Sequence, residues 1–300
     1  MPQLDLTGVA LKFSRALYIY SEIDAVNNQG HATNVDIAHQ WNPLLIGHDV
    51  IYKGPALPKG LGVIVGDLVH NARSALDHLI SALVLANGSK ITRDHAFPIC
   101  ESPEKFEAMV IVPNSRGKDH PLKGLSNDQI EIIRLCQPFQ EQPLESAEMR
   151  KSLSFLHSFS IIDKHQLIQS AGLMLIDNGV GISIPPHVPA KINKILWPKE
   201  IRDLIEVGDK LANVQVLADS ARDPNVSLDL SVVIQTTLVF KDSEDKLISI
   251  ANIVNALTQV GLIASVFQPS FAAYPWDHSY RSRQDQILKE TAERGPDPVW

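Results

Sequence analysis

Cysteine is scarce in this chain of 300 residues: there are two, Cys100 and Cys136, with no CxxC spacing. That excludes a disulfide framework and reads as reduced thiols in a cytosolic setting. Also lacking are a glycine-rich phosphate loop, an HExxH helix and a GxSxG elbow, so the common phosphate, zinc-protease and serine-hydrolase signatures do not apply. Positive charge is in deficit, with 27 Lys and Arg against 34 Asp and Glu and a net charge of −7. A broad electrostatic grip on nucleic acid or an anionic membrane is thereby disfavoured, although a local basic cleft is not. The N-terminal stretch carries Asp5, Lys12 and Arg15 and so lacks the continuous apolar core of a signal peptide. Uncharged Ile250–Phe267 is interrupted by Asn252, Asn255, Thr258, Gln259 and Ser265, the texture of an amphipathic helix rather than a membrane span. These absences leave a soluble, cytoplasmic protein with no membrane partner as the expectation.

What is present is 44% hydrophobic and patterned mainly for helix. Ala10, Phe13, Leu17, Tyr20 and Ile23 recur at helical spacing over 7–27. The strongest helix is predicted over 61–85, where Leu61, Val65, Leu68, Val69, Ala72, Leu76, Leu79, Ile80 and Leu83 form one wide face before Asn87-Gly88. Residues 88–142 read as a long irregular connection with one short helix at 128–135, of a length that suits a lid or a contact for a protein partner. Helix returns over 145–171. Strands are expected at 180–184 and 228–240, then a closing helix over 244–266. The fold class is α+β, mainly a helical bundle with a small β-sheet region added in the C-terminal half. Its divisions fall at 1–172 for the bundle, 173–268 for the β-containing region with its closing helix packed on the bundle, and 269–300 for a polar tail.

The chemically pointed text is Gly66-Asp67-Leu68-Val69-His70-Asn71-Ala72-Arg73-Ser74-Ala75-Leu76-Asp77-His78. At about 100° per residue, Asp67, Asn71, Ser74 and His78 form a line along one side of the helix. His70 and Asp77 lie beside it and Arg73 sits at the far flank, about 140° from His78. Where a surface helix normally carries Lys and Glu, this one carries two histidines, an arginine and two aspartates. Such groups suit a site, because an Asp–His pair sets a tautomer and Arg neutralises a phosphate or oxyanion. The bland alternative is an i, i+4 pair of Arg73 with Asp77, and polar contacts to a neighbouring helix. Asp163-Lys164-His165 lies among aliphatics, so these residues are expected to meet partners, the polar face of the 61–85 helix being the candidate. A structural ion pair of Asp163 with Arg73 is the alternative there. Asp94, His95 and Cys100 are too few and too loosely spaced for a zinc site, so no metal and no cofactor are expected. Trp41, Trp197 and Trp276 read as core or interface anchors.

Arg73-Ser-Ala-Leu-Asp-His78 resembles the HEPN superfamily, helical bundles that carry Arg, four to six residues, then His. The wider helix, together with Phe97-Pro98-Ile99 and Asp163-Lys164-His165, also resembles a set of uncharacterised bacterial and phage proteins. The first resemblance implies a metal-independent endoribonuclease of a toxin or antiviral-defence type. Its catalytic residues would be Arg73, His78 and Asp77. His78 would serve as acid or base, Arg73 would stabilise the phosphate, and Asp77 or Asp163 would orient His78. Asp67, His70, Asn71, Ser74, Lys164 and His165 would support substrate, and a homodimer would form the cleft over RNA. The same resemblance allows a non-catalytic member that binds a nucleotide, RNA or a protein partner. Ser74 stands where nuclease members often carry a larger polar residue after the Arg.

Overall fold

The computed structural model describes residues 4–30, 35–42, 45–54, 56–110, 120–140, 147–165, 171–183, 190–197, 204–218, 229–241 and 247–268, with the backbone alone for 28–30, 35–42, 45–46, 147–150, 162–165, 175–183, 190–192, 216–218, 229–236 and 241. The tail at 269–300, the centre of the 88–142 connection and Trp276 lie outside the described residues. Among the described residues, six helices and eight strands run in the order α1 (Thr7–Gly30), β1 (Val35–Asn42), β2 (Leu45–Tyr52), α2 (Leu61–Ala86), α3 (Pro103–Val110), α4 (Asn127–Leu135), α5 (Ala147–His165), β3 (Ala171–Ser183), β4 (Ala190–Leu196), β5 (Leu204–Ile205), β6 (Lys210–Ala218), β7 (Asp229–Lys241), β8 (Leu247–Ser249) and α6 (Ile250–Phe267). The α+β class is as expected from the patterning.

The chain divides into two compact units, each assembled from separated segments. Unit 1 takes Met1–Ser21, Val63–Gln169 and Ala251–Trp300, and unit 2 takes Glu22–Gly62 and Ser170–Ile250. The division is therefore not a linear one at 172: β1 and β2 belong with the C-terminal strands. The reason is β2, which pairs antiparallel with β6 along Ile46↔Val216 to Ile51↔Lys210. The helix expected over 145–171 stops at His165, and Ala171 already opens a strand.

Unit 1 is helical. α2 buries the apolar face read from the sequence, with Ala75 and Val84 added to it. Its end is a Schellman turn: Ser89 N–H donates to the Val84 carbonyl and Gly88 N–H to the Leu85 carbonyl, while Gly88 takes φ +75°. α4 starts on a capping box, in which the Ser126 hydroxyl accepts the Gln129 N–H and the Gln129 side chain accepts the Ser126 N–H. α3, inside the stretch expected to be irregular, buries only Phe106 and Val110 of its eight residues, too few to mark a helix by pattern. α6 is, among the described residues, the one helix long and apolar enough to cross a membrane, and 67% of it is buried inside the protein, as in a core helix.

Unit 2 is built on two antiparallel four-stranded sheets, ordered β1-β2-β6-β4 and β5-β3-β7-β8. The long pairing of β3 with β7 runs from Ala171↔Phe240 to Ser183↔Asp229, with one irregularity between Leu175 and Asp177. The strands expected at 180–184 and 228–240 fall on this pair. β7 carries the β-branched run Val232-Val233-Ile234 that favours a pleated, paired backbone.

Candidate functional site

Between α2 and α3, residues 91–100 form no regular element, yet Phe97, Ile99 and Cys100 are buried. A buried backbone without a ladder must find its hydrogen bonds among side chains. α2 supplies two of them. Asp77 Oδ1 accepts the Phe97 N–H at 2.9 Å, and Arg73 Nη2 donates to the Phe97 carbonyl. The same Arg73 nitrogen donates to Asp77 Oδ1 at 3.1 Å, closing a three-way clasp. On the far side Gln137, just beyond α4, continues the pattern. Its Oε1 accepts the Cys100 N–H at 2.9 Å, and its Nε2 donates to the carbonyls of Pro98 at 3.0 Å and Ile133 at 3.1 Å.

His95 belongs to the same arrangement. Its Nδ1 accepts the Thr92 N–H at 2.9 Å, which puts the proton on Nε2, facing the Lys123 carbonyl at 3.0 Å. Both ring nitrogens are thus taken up by backbone. Among the described residues no group of three or more His, Cys, Asp and Glu could hold a metal ion. Burial pushes the Cys100 thiol up, partly countered by the Lys105 charge, which is the opposite of an activated nucleophile.

Arg73 is largely enclosed, with its side chain 12% exposed against 37% for Asp77. Burial pulls its guanidinium down from the ordinary arginine range, with the Asp77 charge acting against that shift. Its Nη1 is buried and has no hydrogen-bond partner among the described residues.

His78 faces elsewhere. It is exposed, and its ring lies over Gly8 of α1, where a Cβ would come to 3.1 Å from Nδ1. A side chain at position 8 would require the ring to give by a few tenths of an ångström. One turn further along α1, Lys12 Nζ reaches Asn71 Oδ1 at 3.5 Å, while Asn71 Nδ2 donates to the Asp67 carbonyl at 2.7 Å. α1 therefore runs antiparallel along the line containing Asn71 and His78. Asp67 and His70 are exposed and Ser74 is half-buried. Arg15, one turn past Lys12, is exposed and stacks 5.3 Å above the exposed Tyr18 ring.

The structure thus brings Arg73 and Asp77 together, and Asn71 and His78 onto a second flank against α1. Among the described residues, Arg73 and His78 have no common partner. Asp163, Lys164 and His165 end α5, and their side chains lie outside the described residues. Gln137 and the backbone of Phe97 were not visible as functional positions from spacing. The usable signal is a short apolar run with a proline inside it, Phe97-Pro98-Ile99-Cys100, which cannot be a central strand and needs side-chain partners. No protein-family model, no curated protein and no solved structure matches this chain.

Proposed function

We propose that the chain is a HEPN-like binding protein whose helical unit engages single-stranded RNA without cleaving it, through the exposed face shared by α1 and α2. One observation carries this reading: Arg73 is turned to the Phe97 carbonyl, while His78 lies over Gly8. Metal-independent cleavage needs an acid–base group and a cation at the same phosphate. Here the cation belongs to the clasp. The exposed face keeps His70, His78, the half-buried Lys12, and Arg15 stacked on Tyr18. An exposed aromatic ring beside cations suits unpaired bases and their phosphates.

The test is fluorescence anisotropy with a labelled unstructured RNA oligonucleotide at two salt concentrations, alongside gel analysis of the same RNA. Binding that weakens with salt, drops about fivefold in Tyr18→Ala, and leaves the RNA intact supports the reading. Undetectable binding, or cleavage that disappears in His78→Ala, overturns it.

A second reading, a metal-independent endoribonuclease of the toxin or defence type, is favoured by one feature. Arg73 Nη1 has no partner among the described residues, and no hydrogen bond joins His78 to any of them. In that reading a second copy of the chain supplies the histidine opposite Arg73. Mixing inactive Arg73→Ala with inactive His78→Ala protein would then restore cleavage at one of the two shared sites.

A further inference from the structure

β5 is an edge strand of two residues. It pairs with β3 at Leu173↔Ile205 and Met174↔Leu204, so Ala171 and Gly172 have no strand beside them on that side among the described residues. Beyond β5 the chain turns away. Gly208 takes φ +96°, Asp209 N–H donates to the Glu206 carbonyl at 3.0 Å, and Asp209 Oδ2 accepts the Glu206 N–H at 2.9 Å. The turn is braced on β2, since Gly208 N–H donates to the Tyr52 carbonyl at 2.8 Å and Tyr52 N–H donates to the Asp209 carbonyl at 2.9 Å.

Where the short strand gives out, unit 2 contains a half-open cavity of about 420 Å³. Its walls are mostly apolar, with Leu57, Gly172, Leu173, Leu204 and Val207 among them. Gly172 adds no side chain to fill the space, and Leu204 rests on it, 3.0 Å from where a Cβ would stand. The walls are open to solvent, Leu204 being 36% and Val207 55% exposed. Glu206 lines the same cavity and is itself exposed. Its backbone N–H is held by Asp209, but its carboxylate has no ion-pair or hydrogen-bond partner among the described residues.

Small-molecule sites are concave, mostly apolar, and carry a few polar groups that set orientation. A single carboxylate over apolar walls is too poor in ligands for a metal ion and suits an organic cation. We propose that this cavity binds a small hydrophobic amine, its apolar body against Leu57, Leu173 and Leu204 and its ammonium group at the Glu206 carboxylate. The site stands apart from the RNA reading and depends on none of its residues.

The probes are 2-(4-fluorophenyl)ethylamine, the neutral 2-(4-fluorophenyl)ethanol and the anionic 3-(4-fluorophenyl)propanoate, followed by fluorine NMR with the full chain at low salt. The ammonium compound is expected to bind about threefold tighter than the alcohol, the size of an exposed charge pair, and the carboxylate weakest of the three. Glu206→Gln, at an exposed position, should level that order while leaving the alcohol's affinity unchanged. Leu204→Trp, at the edge of the cavity, should exclude all three probes while circular dichroism stays unchanged. No binding of the ammonium compound overturns the proposal, as does equal binding of ammonium compound and alcohol. A preference that survives Glu206→Gln, or binding that survives Leu204→Trp, also overturns it, since the cation or the ring would then sit elsewhere.

Discussion

Asp77 in unit 1 and Asp49 in unit 2 are both aspartates beside a cation, yet they serve different ends. Asp77 shares its oxygen between Arg73 and the backbone N–H of Phe97. Asp49, buried on β2, accepts from Lys210 at 2.7 Å and from Asn213 at 2.6 Å, both on the neighbouring strand β6. The contrast follows from backbone. In unit 2 the backbone of Asp49 lies within the β2–β6 ladder, and its carboxylate meets side chains. Asn27 of the same unit does accept a backbone N–H, that of Leu238. In unit 1 the segment at 91–100 has no ladder, and the polar side chains of Arg73, Asp77, His95 and Gln137 replace it. Short polar groups on a helix therefore have a third explanation beside catalysis and solvation: they splint a neighbouring irregular chain.

The sharpest way to break the comparison is Asp77→Ala. It strips the Phe97 N–H and a largely buried guanidinium of their acceptor together, and should cost about 3 kcal/mol in urea unfolding at neutral pH. Asp77→Asn, which keeps an acceptor for Phe97, should recover roughly half of that loss. If the two variants cost the same, the charge rather than the backbone bond carries the clasp.

Next in size, Gln137→Ala removes two hydrogen bonds to the buried segment and one to the Ile133 carbonyl of α4, and should cost about 2 kcal/mol. Because it shares no atom with the Arg73–Asp77 pair but holds the same strip of chain, the double variant with Asp77→Ala should fall short of additivity. A strictly additive result would mean that the two ends of the strip are held independently.

Lys210→Met probes the other side of the comparison and should cost about 1 kcal/mol at pH 7, since the lysine is partly exposed. Burial pushes the Asp49 carboxyl up, but bonds from Lys210 and Asn213 and the Lys210 charge more than offset this, leaving it below its ordinary 3.8. A lowered folded pKa gives stability that is fully present above the unfolded value and lost as pH falls through the folded one. The difference between wild type and Lys210→Met should therefore shrink in acid, below the ordinary 3.8, and be constant at higher pH. A difference that persists in acid would assign Lys210 a packing role instead.

Smallest of all, His78→Ala should change stability by less than about 0.5 kcal/mol, because the ring is exposed and makes no hydrogen bond to a described residue. A large loss would mean that the His78–Gly8 contact is as structural as the clasp, and the two flanks of α2 would no longer differ.

The helices were legible from the sequence where they are long and one-sided. Leu61 through Leu83 reads as a face because each apolar residue returns to the same side, and Asn87-Gly88 announces the left-handed stop. α3 was not legible, since two buried residues cannot establish a period. β1, β2 and β6 were not legible either, because their partners are remote and local pattern carries no trace of a remote edge. The wide spacing of Arg73 and His78 around the helix axis was readable, and it agrees with their facing different neighbours. That Phe97 would be the object held by Arg73 and Asp77 was not, since a backbone carbonyl has no letter of its own.

Pairing Asp49 with Asn213 joins positions 164 residues apart. Closing so long a loop gives nothing back until the contact forms, and chains dominated by such pairings fold slowly. During synthesis β2 has to wait, its edge unmatched, until β6 has left the ribosome, and an unmatched edge is an invitation to aggregate. The charged and polar residues Asp49, Lys210 and Asn213 at that seam thus also act as a registration mark. They reward the correct alignment of two strands that meet late, and leave a buried aspartate unmatched in any alignment shifted by one residue.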